Sequence, residues 1–201
     1  MVDSRDPIIT GGDLSCYSKL VEDFKEEYPE ALEEIDSYLP PPLVDKLSIT
    51  VSVDSNHAHD KVTHQSITGL IIHFDKTYVL YYSKEKGAVE TSTCYAEFMA
   101  MRHAVEEVVA LRYMLICLGV NVDIASAVYR DNLGVIQNAT IKDSLLKKKN
   151  VAISYKKVRE EVAAGIIVLI NISSVDNFAD CIMKSLQISD HNRLINGLFY
   201  G

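Results

Sequence analysis

The sequence has no tryptophan, no closely spaced cysteine pair and no run of 18 apolar residues. A helix that crosses a bilayer needs about 20 predominantly apolar residues, so we expect neither a membrane span nor a membrane partner. The N-terminus, Met1-Val-Asp-Ser-Arg-Asp, lacks the pattern of a signal peptide. Zinc and disulfide frameworks use clustered cysteines, which argues against both. We therefore predict an intracellular protein, cytoplasmic or nuclear, whose four cysteines are reduced.

Positive charge is also scarce, since 28 acidic residues outnumber 20 lysines and arginines and give a net charge of −8. The acidic surplus is confined to residues 1–50, which hold 12 acidic and 4 basic side chains, whereas residues 51–201 hold 16 of each. Residues 140–160 concentrate seven basic side chains against two acidic ones. This segment predicts a basic patch that could hold a phosphate backbone, although a solvated helix face is the alternative interpretation.

The length of the chain limits its domain organisation. With 201 residues and 48% hydrophobic content, it can fill one domain and an appendage but not two full domains. Residues 1–46 are the predicted acidic N-terminal appendage or linker, because Pro40-Pro41-Pro42 stops any helix before the main domain. The main domain is predicted over residues 47–190, and residues 191–201 are predicted to be a C-terminal tail.

Strand and helix patterns alternate along the main domain. Residues 47–54 alternate between apolar and polar side chains, and Asp75-Lys76 suits the turn of a hairpin. The apolar residues after Ser92 recur at helical spacing up to Gly119, a favourable C-cap. This order predicts an α/β (α+β) fold with a five-stranded mixed sheet flanked by helices. The predicted elements are strands 47–54, 66–74 and 77–82, helix 92–118, strand 123–129, helices 133–138 and 150–164, strand 166–172 and helix 174–186.

Four carboxylates occupy positions that suit inward-pointing metal ligands. Asp54 ends the first strand, Glu97 lies near the start of the long helix, Asp131 follows the fourth strand, and Asp180 lies near the start of the last helix. Neighbouring strands lie about 4.8 Å apart, so Asp54 and Asp131 can share an ion. Four close carboxylates repel one another, and divalent cations relieve that repulsion. The ordered set therefore predicts a site for two Mg²⁺ or Mn²⁺ ions and metal-assisted phosphodiester hydrolysis.

Each carboxylate also has an ordinary structural interpretation. Asp54 could be a turn residue or a cap, and Glu97 could be an acid favoured by the dipole of its helix. Asp131, with Asn132 beside it, could be an N-cap, and Asp180 could be a solvated helix residue. Only the order of all four along the chain favours the metal site.

An ordered set of short segments carries a family resemblance. The segments are Val53-Asp-Ser-Asn-His-Ala58, Ser66-Ile-Thr-Gly69, Ser83-Lys84, Val89-Glu-Thr-Ser-Thr93, Ala96-Glu-Phe-Met-Ala100, Leu111-Arg-Tyr113, Asp131-Asn132, Val135-Ile136-Gln137-Asn138, Leu146-Lys-Lys-Lys149, Val158-Arg-Glu160 and Asn177-Phe-Ala-Asp180 through Lys184. Together they resemble the ribonuclease H-like domain of copia-type retrotransposon polyproteins, from about residue 45 to residue 190.

This resemblance implies a ribonuclease H fold and Mg²⁺-dependent cleavage of the RNA strand of RNA–DNA hybrids. It implies that the four carboxylates are catalytic and that the acidic N-terminal segment corresponds to a linker after a reverse transcriptase, so a reverse transcriptase domain of the same polyprotein is a candidate partner. The residues expected to contact an RNA–DNA hybrid or other nucleic acid are Lys147, Lys148, Lys149, Lys156 and Asn132.

The sequence also departs from the family pattern. The family usually has two arginines after Thr63, where this chain has His64-Gln65, and Glu85 adds negative charge where hybrid phosphates would pass. Met183 replaces the usual threonine, and no histidine lies between Asp131 and Asp180. These differences leave open a catalytically weak or inactive remnant that only binds nucleic acid or a protein partner. A third interpretation, an integrase-like nuclease of the same fold class, is less favoured, because it needs a different carboxylate order and usually an accompanying zinc or DNA-binding module. No Cys/His spacing typical of zinc sites is present in the sequence.

Overall fold

The structure is a computed structural model that describes residues 22–33, 35, 37–39, 41–43, 46–57, 62, 65–86, 93–122, 124–140 and 149–200, with residues 137–140, 149–152 and 200 described by their backbone. In chain order the described elements are α1 (22–27), β1 (Ile49–Asn56), β2 (Ile67–Phe74), β3 (Thr77–Glu85), α2 (Thr93–Cys117), β4 (Ser126–Arg130), α3 (Leu133–Thr140), α4 (Lys149–Ala163), β5 (Ile167–Asn171), a 3-10 turn (Ser174–Asp176), α5 (Asp180–Met183) and α6 (Ile188–Tyr200).

The described strands form a five-stranded sheet in the order β3-β2-β1-β4-β5. The strand pairs β3–β2 and β2–β1 are antiparallel, whereas the pairs β1–β4 and β4–β5 are parallel. The prediction of a five-stranded sheet with both parallel and antiparallel pairs is therefore confirmed. Strand β1 lies at its centre, and the parallel pairing of β1 with β4 brings the C-terminal ends of both strands to the same edge.

The core lies between the sheet and α2. Val51 and Val53 on β1 are completely buried, and α2 packs against this strand through residues that recur at helical spacing, including Met101, Val105 and Val108. The buried side of this 25-residue helix thus packs against the central strand and also against α4. This packing holds the first turns of α2, which carry Glu97, near the C-terminal end of β1.

Local turn chemistry fixes the lengths of these elements. Asp75 adopts a positive φ of 52°, and its Oδ1 accepts hydrogen bonds from Ser48 N at 3.0 Å and Ser48 Oγ at 2.8 Å. Gly119 ends α2 with a φ of 77°, a backbone conformation that glycine adopts without steric penalty. The bonds from Val120 N to Leu115 O and from Gly119 N to Ile116 O, both 2.9 Å, complete a Schellman motif. The predicted hairpin turn and C-cap are confirmed.

The C-terminal region differs from the sequence prediction. The single helix predicted over residues 174–186 is wrong, since a 3-10 turn, the short α5 and an extended segment occupy that range. Asn177 interrupts the helix because its Oδ1 accepts from Ala179 N at 3.1 Å and its Nδ2 donates to Val53 O at 3.3 Å. A further helix, α6, covers 188–200 and includes most of the predicted tail. It buries Leu194 against the rest of the chain.

The described part of the N-terminal segment lies against the main domain. Phe24 in α1 is 1% exposed and belongs to the main hydrophobic core. Leu43 N donates to Gly119 O at 2.7 Å, so the segment also follows the C-terminal end of α2. The domain boundary at residue 46 stays a prediction. No helix in the described ranges is long and apolar enough to cross a membrane.

Candidate active site

Two of the predicted carboxylates meet at one edge of the sheet. Asp54 lies near the C-terminal end of β1, and Asp131 follows directly after β4, the parallel neighbour of β1. Glu97 enters from the second turn of α2, and Asp180 is the first residue of α5. Asp54, Glu97 and Asp180 are 3%, 8% and 6% exposed, so these three carboxylates are withdrawn from bulk water despite the cost of burying charge.

A polar cavity opens at this edge, with a volume of about 400 Å³. Three of the four predicted carboxylates line it, whereas Asp180 reaches it through its ion pair with Lys184. The cavity is lined by Asp54, Ser55, Glu97, Asp131, Asn132, Leu133, Gly134 and Lys184. The structure thus brings Asp54, Glu97 and Asp131 to one site, to which Asp180 is joined through Lys184.

Lys184 joins the two carboxylates on either side of it. Its Nζ lies 2.9 Å from Asp54 Oδ2 and 2.8 Å from Asp180 Oδ1. Burial lowers the pKa of Lys184, but its pairing with Asp180 and Asp54 outweighs burial and raises that pKa above its ordinary value. The ammonium therefore stays protonated over the physiological range and holds α5 against β1.

Glu97 has two polar partners in addition to its carboxylate neighbours. Arg130 Nη1 donates to the backbone oxygen of Glu97, and Arg130 Nη2 lies 3.5 Å from Glu97 Oε2. The side chain of Asn132 also hydrogen-bonds to the Glu97 carboxylate. Asn132 Oδ1 accepts a hydrogen bond from Val135 N at 3.2 Å, so Asn132, rather than Asp131, serves as the N-terminal cap of α3.

Arg130 is the site residue that the sequence prediction missed. Its side chain is completely buried, although arginine is rarely buried in proteins. The signal was present in the alternation of β4, where Ser126, Val128 and Arg130 are the buried residues. A strand that alternates in this way places its last residue on the same buried face as the apolar one two positions earlier.

Proximity changes the ionisation of the carboxylates. Burial raises the pKa of Glu97, and Asp54 and Asp131 add to that rise, while Arg130 and Asn132 oppose it. Burial likewise raises the pKa of Asp131, and the charge of Asp54 contributes to the same shift. Burial, together with Asp54, raises the pKa of Asp180 to about 6 despite Lys184. The raised pKa values of Asp180 and Lys184 have different causes. Burial is the largest cause of the rise at Asp180, whereas the neighbouring Asp180 and Asp54 raise the pKa of Lys184 against the effect of burial.

The donor set can be compared with the needs of a divalent metal ion. Mg²⁺ and Mn²⁺ prefer carboxylate oxygens, and the excess of negative charge in this cluster favours a cation. In donor type and charge the residues therefore fit such ions. Among the described residues, however, no three His, Cys, Asp or Glu side chains are arranged to hold a metal ion. Binding would thus require the carboxylates to move closer together.

The predicted nucleic-acid contacts are only partly within the described chain. Lys147 and Lys148 lie outside the described residues, and Lys149 is described by its backbone alone. Lys156 is exposed on α4. Arg159, one of the seven basic residues in the predicted patch, is buried beside Glu27 at 3.7 Å and over the Phe24 ring at 5.4 Å. It is therefore not part of an exposed basic surface.

Known proteins resemble this chain both in sequence and in structure, although no family model matches it. The retrovirus-related Pol polyproteins from transposons RE1 and RE2 of Arabidopsis thaliana are 26% and 24% identical to it over 141 residues, which is 70% of this chain and 10% of each relative. The chain thus spans about a tenth of the length of these curated relatives. The resemblance to copia-type polyproteins stated above is confirmed.

Among the solved structures that resemble this chain are two structures of one ribonuclease H. LC11-RNase H1, isolated from compost, superposes with a TM-score of 0.50 at 17% identity, covering 66% of this chain and 90% of the other. The same enzyme in complex with an RNA/DNA hybrid gives a TM-score of 0.51, also at 17% identity, covering 67% and 93%. Identity this low establishes the fold alone, and the predicted ribonuclease H-like fold is confirmed.

Proposed function

We propose that this chain is a metal-dependent ribonuclease H-type hydrolase, which cleaves the RNA strand of RNA–DNA hybrids as part of a retrotransposon-derived polyprotein. The observation that carries the proposal is the meeting of Asp54, Glu97 and Asp131 around one polar cavity at the sheet edge. The similarity to Pol polyproteins supports the same conclusion, because these relatives belong to transposons.

Each part of the site would contribute to hydrolysis in a different way. Two Mg²⁺ or Mn²⁺ ions, held by Asp54, Glu97, Asp131 and Asp180, would supply an activated water and stabilise the leaving oxygen. Asn132 orients Glu97 through its hydrogen bond, and it is itself held as the cap of α3. Lys184 keeps Asp180 beside Asp54 through its two ion pairs. These contacts keep the ligand-bearing elements together before the substrate arrives, so that only a local movement of the carboxylates is needed to bind the ions.

The proposed substrate is an RNA–DNA hybrid or a closely related nucleic acid. The similar fold of LC11-RNase H1 has been solved with an RNA/DNA hybrid, which supports this choice. We propose that Lys147, Lys148, Lys149 and Lys156 contact phosphates and that Asn132 contacts the nucleic acid near the cluster, with little sequence preference. A reverse transcriptase domain of the same polyprotein is the proposed protein partner, because the chain matches only a segment of its relatives.

We also propose an intracellular location, cytoplasmic or nuclear. No disulfide joins Cys94, Cys117 and Cys181, the cysteines in the described part of the chain. Unbonded cysteines are typical of proteins in reducing compartments.

A second candidate function is binding without catalysis. The ammonium of Lys184 lies between two of the proposed ligands, and among the described residues no three ligands are in metal-binding geometry. Both features suit a remnant that keeps the fold but only binds nucleic acid or a protein. Retention of all four carboxylates favours the enzyme, because a structural remnant has no need to bury mutually repelling charges.

The two candidates are separated by a cleavage assay on a labelled RNA–DNA hybrid in Mg²⁺, in Mn²⁺ and in EDTA. The protein is compared with Asp54→Asn and with Asp190→Asn, which changes an exposed aspartate on α6. The enzyme hypothesis predicts cutting that requires a metal, disappears in Asp54→Asn and persists in Asp190→Asn. Hybrid binding without cutting in either metal would establish the binding remnant instead.

A further inference from the structure

Arg130 brings a full positive charge into the carboxylate cluster. Its side chain has no exposed surface, and it lies at the end of β4, immediately before Asp131. Its Nη1 donates to the backbone oxygen of Glu97, whereas Nε and Nη2 are buried and donate no hydrogen bond within the described structure. Burial of such a cation is unfavourable unless nearby negative charge compensates it.

The compensating charge comes from the proposed metal ligands. Arg130 Nη2 lies 3.5 Å from Glu97 Oε2, and that oxygen accepts no hydrogen bond within the described residues. Burial lowers the pKa of Arg130, while the charges of Glu97, Asp54 and Asp131 act in the opposite direction. The guanidinium is therefore the internal counter-ion for the part of the cluster that Lys184 does not contact.

A divalent cation and this guanidinium compete for the same carboxylate. A metal ion that binds Glu97 must draw its carboxylate away from Arg130 or accept a positive charge close by. Either change weakens binding. At Asp54 and Asp180 the competing cation is Lys184, which is about a third exposed and can turn towards solvent. The completely buried Arg130 has no such route away from Glu97.

We propose that Arg130 sets the affinity of this site for divalent cations. It holds the Glu97 carboxylate in place when no metal is bound, and it weakens the binding of the metal ion that uses Glu97 as a ligand. This inference rests on the proposed metal-dependent function. It follows that the two ions bind with unequal affinity. The affinity of the more weakly bound ion depends on the charge at position 130. Arg130 is in this account a positioning residue, which acts on the metal through Glu97.

Direct metal binding tests this proposal without any activity measurement. Mn²⁺ is titrated into the full chain, and the free ion is followed by electron paramagnetic resonance. Arg130→Gln and Arg130→Met remove the charge, whereas Arg130→Lys keeps it and loses the planar fork. Arg102→Gln is the matched control, because it removes a partly exposed arginine from the helix that carries Glu97. Thermal unfolding with and without Mn²⁺ verifies that each variant is folded.

The charge-free variants should bind the weaker Mn²⁺ ion at least tenfold more tightly, whereas Arg130→Lys and Arg102→Gln should resemble the unmodified chain. The charge-free variants should also be less stable without metal and gain more stability on adding it. If one of the two uncharged variants fails to fold, the other uncharged variant and Arg130→Lys still test the proposal. Tighter Mn²⁺ binding by Arg130→Lys, which keeps the positive charge, would contradict a charge effect. Unchanged affinity in the folded charge-free variants, or loss of binding, would overturn the role of Arg130 alone. No Mn²⁺ binding by the unmodified chain would overturn the proposed function as well.

Discussion

At the scale of single residues, the site is a balance between carboxylates and two internal cations. Lys184 contacts Asp54 and Asp180, and Arg130 contacts Glu97. Burial is the first cause of the raised pKa values of Glu97, Asp131 and Asp180, and repulsion between neighbours adds to it. The charge balance therefore determines both the stability of the metal-free chain and its attraction for a divalent cation.

Asp180 gives a pH prediction. Its pKa rises from 3.8 to about 6 on folding, so between these values the folded chain keeps a proton that the unfolded chain has released. The stability that this proton contributes is complete below the unfolded pKa and is lost as the pH rises through 6. Relative to Asp180→Asn, the metal-free chain should lose stability between about pH 4 and pH 7. Urea unfolding across this range measures the difference, and two parallel pH curves would contradict the shift.

Residue identity could be predicted from the sequence where the pattern was strong. Asp54 was found because it ends an alternating strand, and Asp131 because it follows an apolar one. Arg130 was not found, since a basic residue beside an acid in the sequence is ordinarily read as a surface pair. The burial of Arg130 depends on the packing of α2 across β4, which residue-by-residue reasoning does not include.

At the scale of elements, the docking of α5 positions both Asp180 and Lys184. Asn177 is completely buried and holds the approach to α5 through Val53 O, next to Asp54. Met183 then packs over Gly69, the residue paired with Asp54 across β1 and β2. The sequence predicted one long helix here because its apolar spacing continues past Asn177. It did not reveal that this asparagine uses its side chain to cap a new turn and bind β1.

Gly69 gives a prediction for this docking. A Cβ at this position would clash with the Met183 side chain and lie 3.2 Å from Ala179 O, so the Met183 side chain would have to leave its place or α5 would have to shift. Gly69→Ala should therefore destabilise the chain by about 1–3 kcal/mol, which is typical of overpacking. Met183→Ala removes the clashing atoms, and the double variant should be more stable than Gly69→Ala alone.

A double-mutant cycle measured by urea unfolding tests this coupling. Additive effects of Gly69→Ala and Met183→Ala would show that α5 is not held by this contact. Recovery in the double variant would instead establish that the missing side chain at position 69 makes room for the element that carries Asp180.

At the scale of the whole molecule, part of the acidic N-terminal segment compensates buried arginines. Glu33 receives two hydrogen bonds from Arg112, from Nε and Nη2, both at 2.6 Å. Arg112 is 2% exposed and also donates to Ile124 O at 2.7 Å. The sequence predicted this segment as an appendage because its charge differs from the rest of the chain. Composition could not reveal that the opposite charges lie buried in the main domain.

Glu33 gives the corresponding stability prediction. Glu33→Gln leaves the buried Arg112 without its bidentate partner and should cost about 2 kcal/mol, below the ~3–5 kcal/mol of a fully buried pair because Glu33 is partly exposed. Glu30→Gln, an exposed change in the same segment, should stay within about 0.5 kcal/mol. Chemical unfolding of both variants measures the difference. Equal stability of the two would mean that the segment does not stabilise the domain.

The measurement that tests the central claim most directly is strand-selective cleavage. A hybrid labelled separately on its RNA and DNA strands, with a DNA duplex of the same sequence beside it, is incubated with the chain in Mg²⁺ or Mn²⁺. The account predicts cutting of the RNA strand alone, no cutting of the DNA duplex, and a loss of at least about a hundredfold in Asp131→Asn, which removes one charged ligand. Equal cleavage by the unmodified chain and Asp131→Asn, or no cleavage by the folded chain in either metal, would contradict the assignment of this carboxylate cluster as a ribonuclease H site.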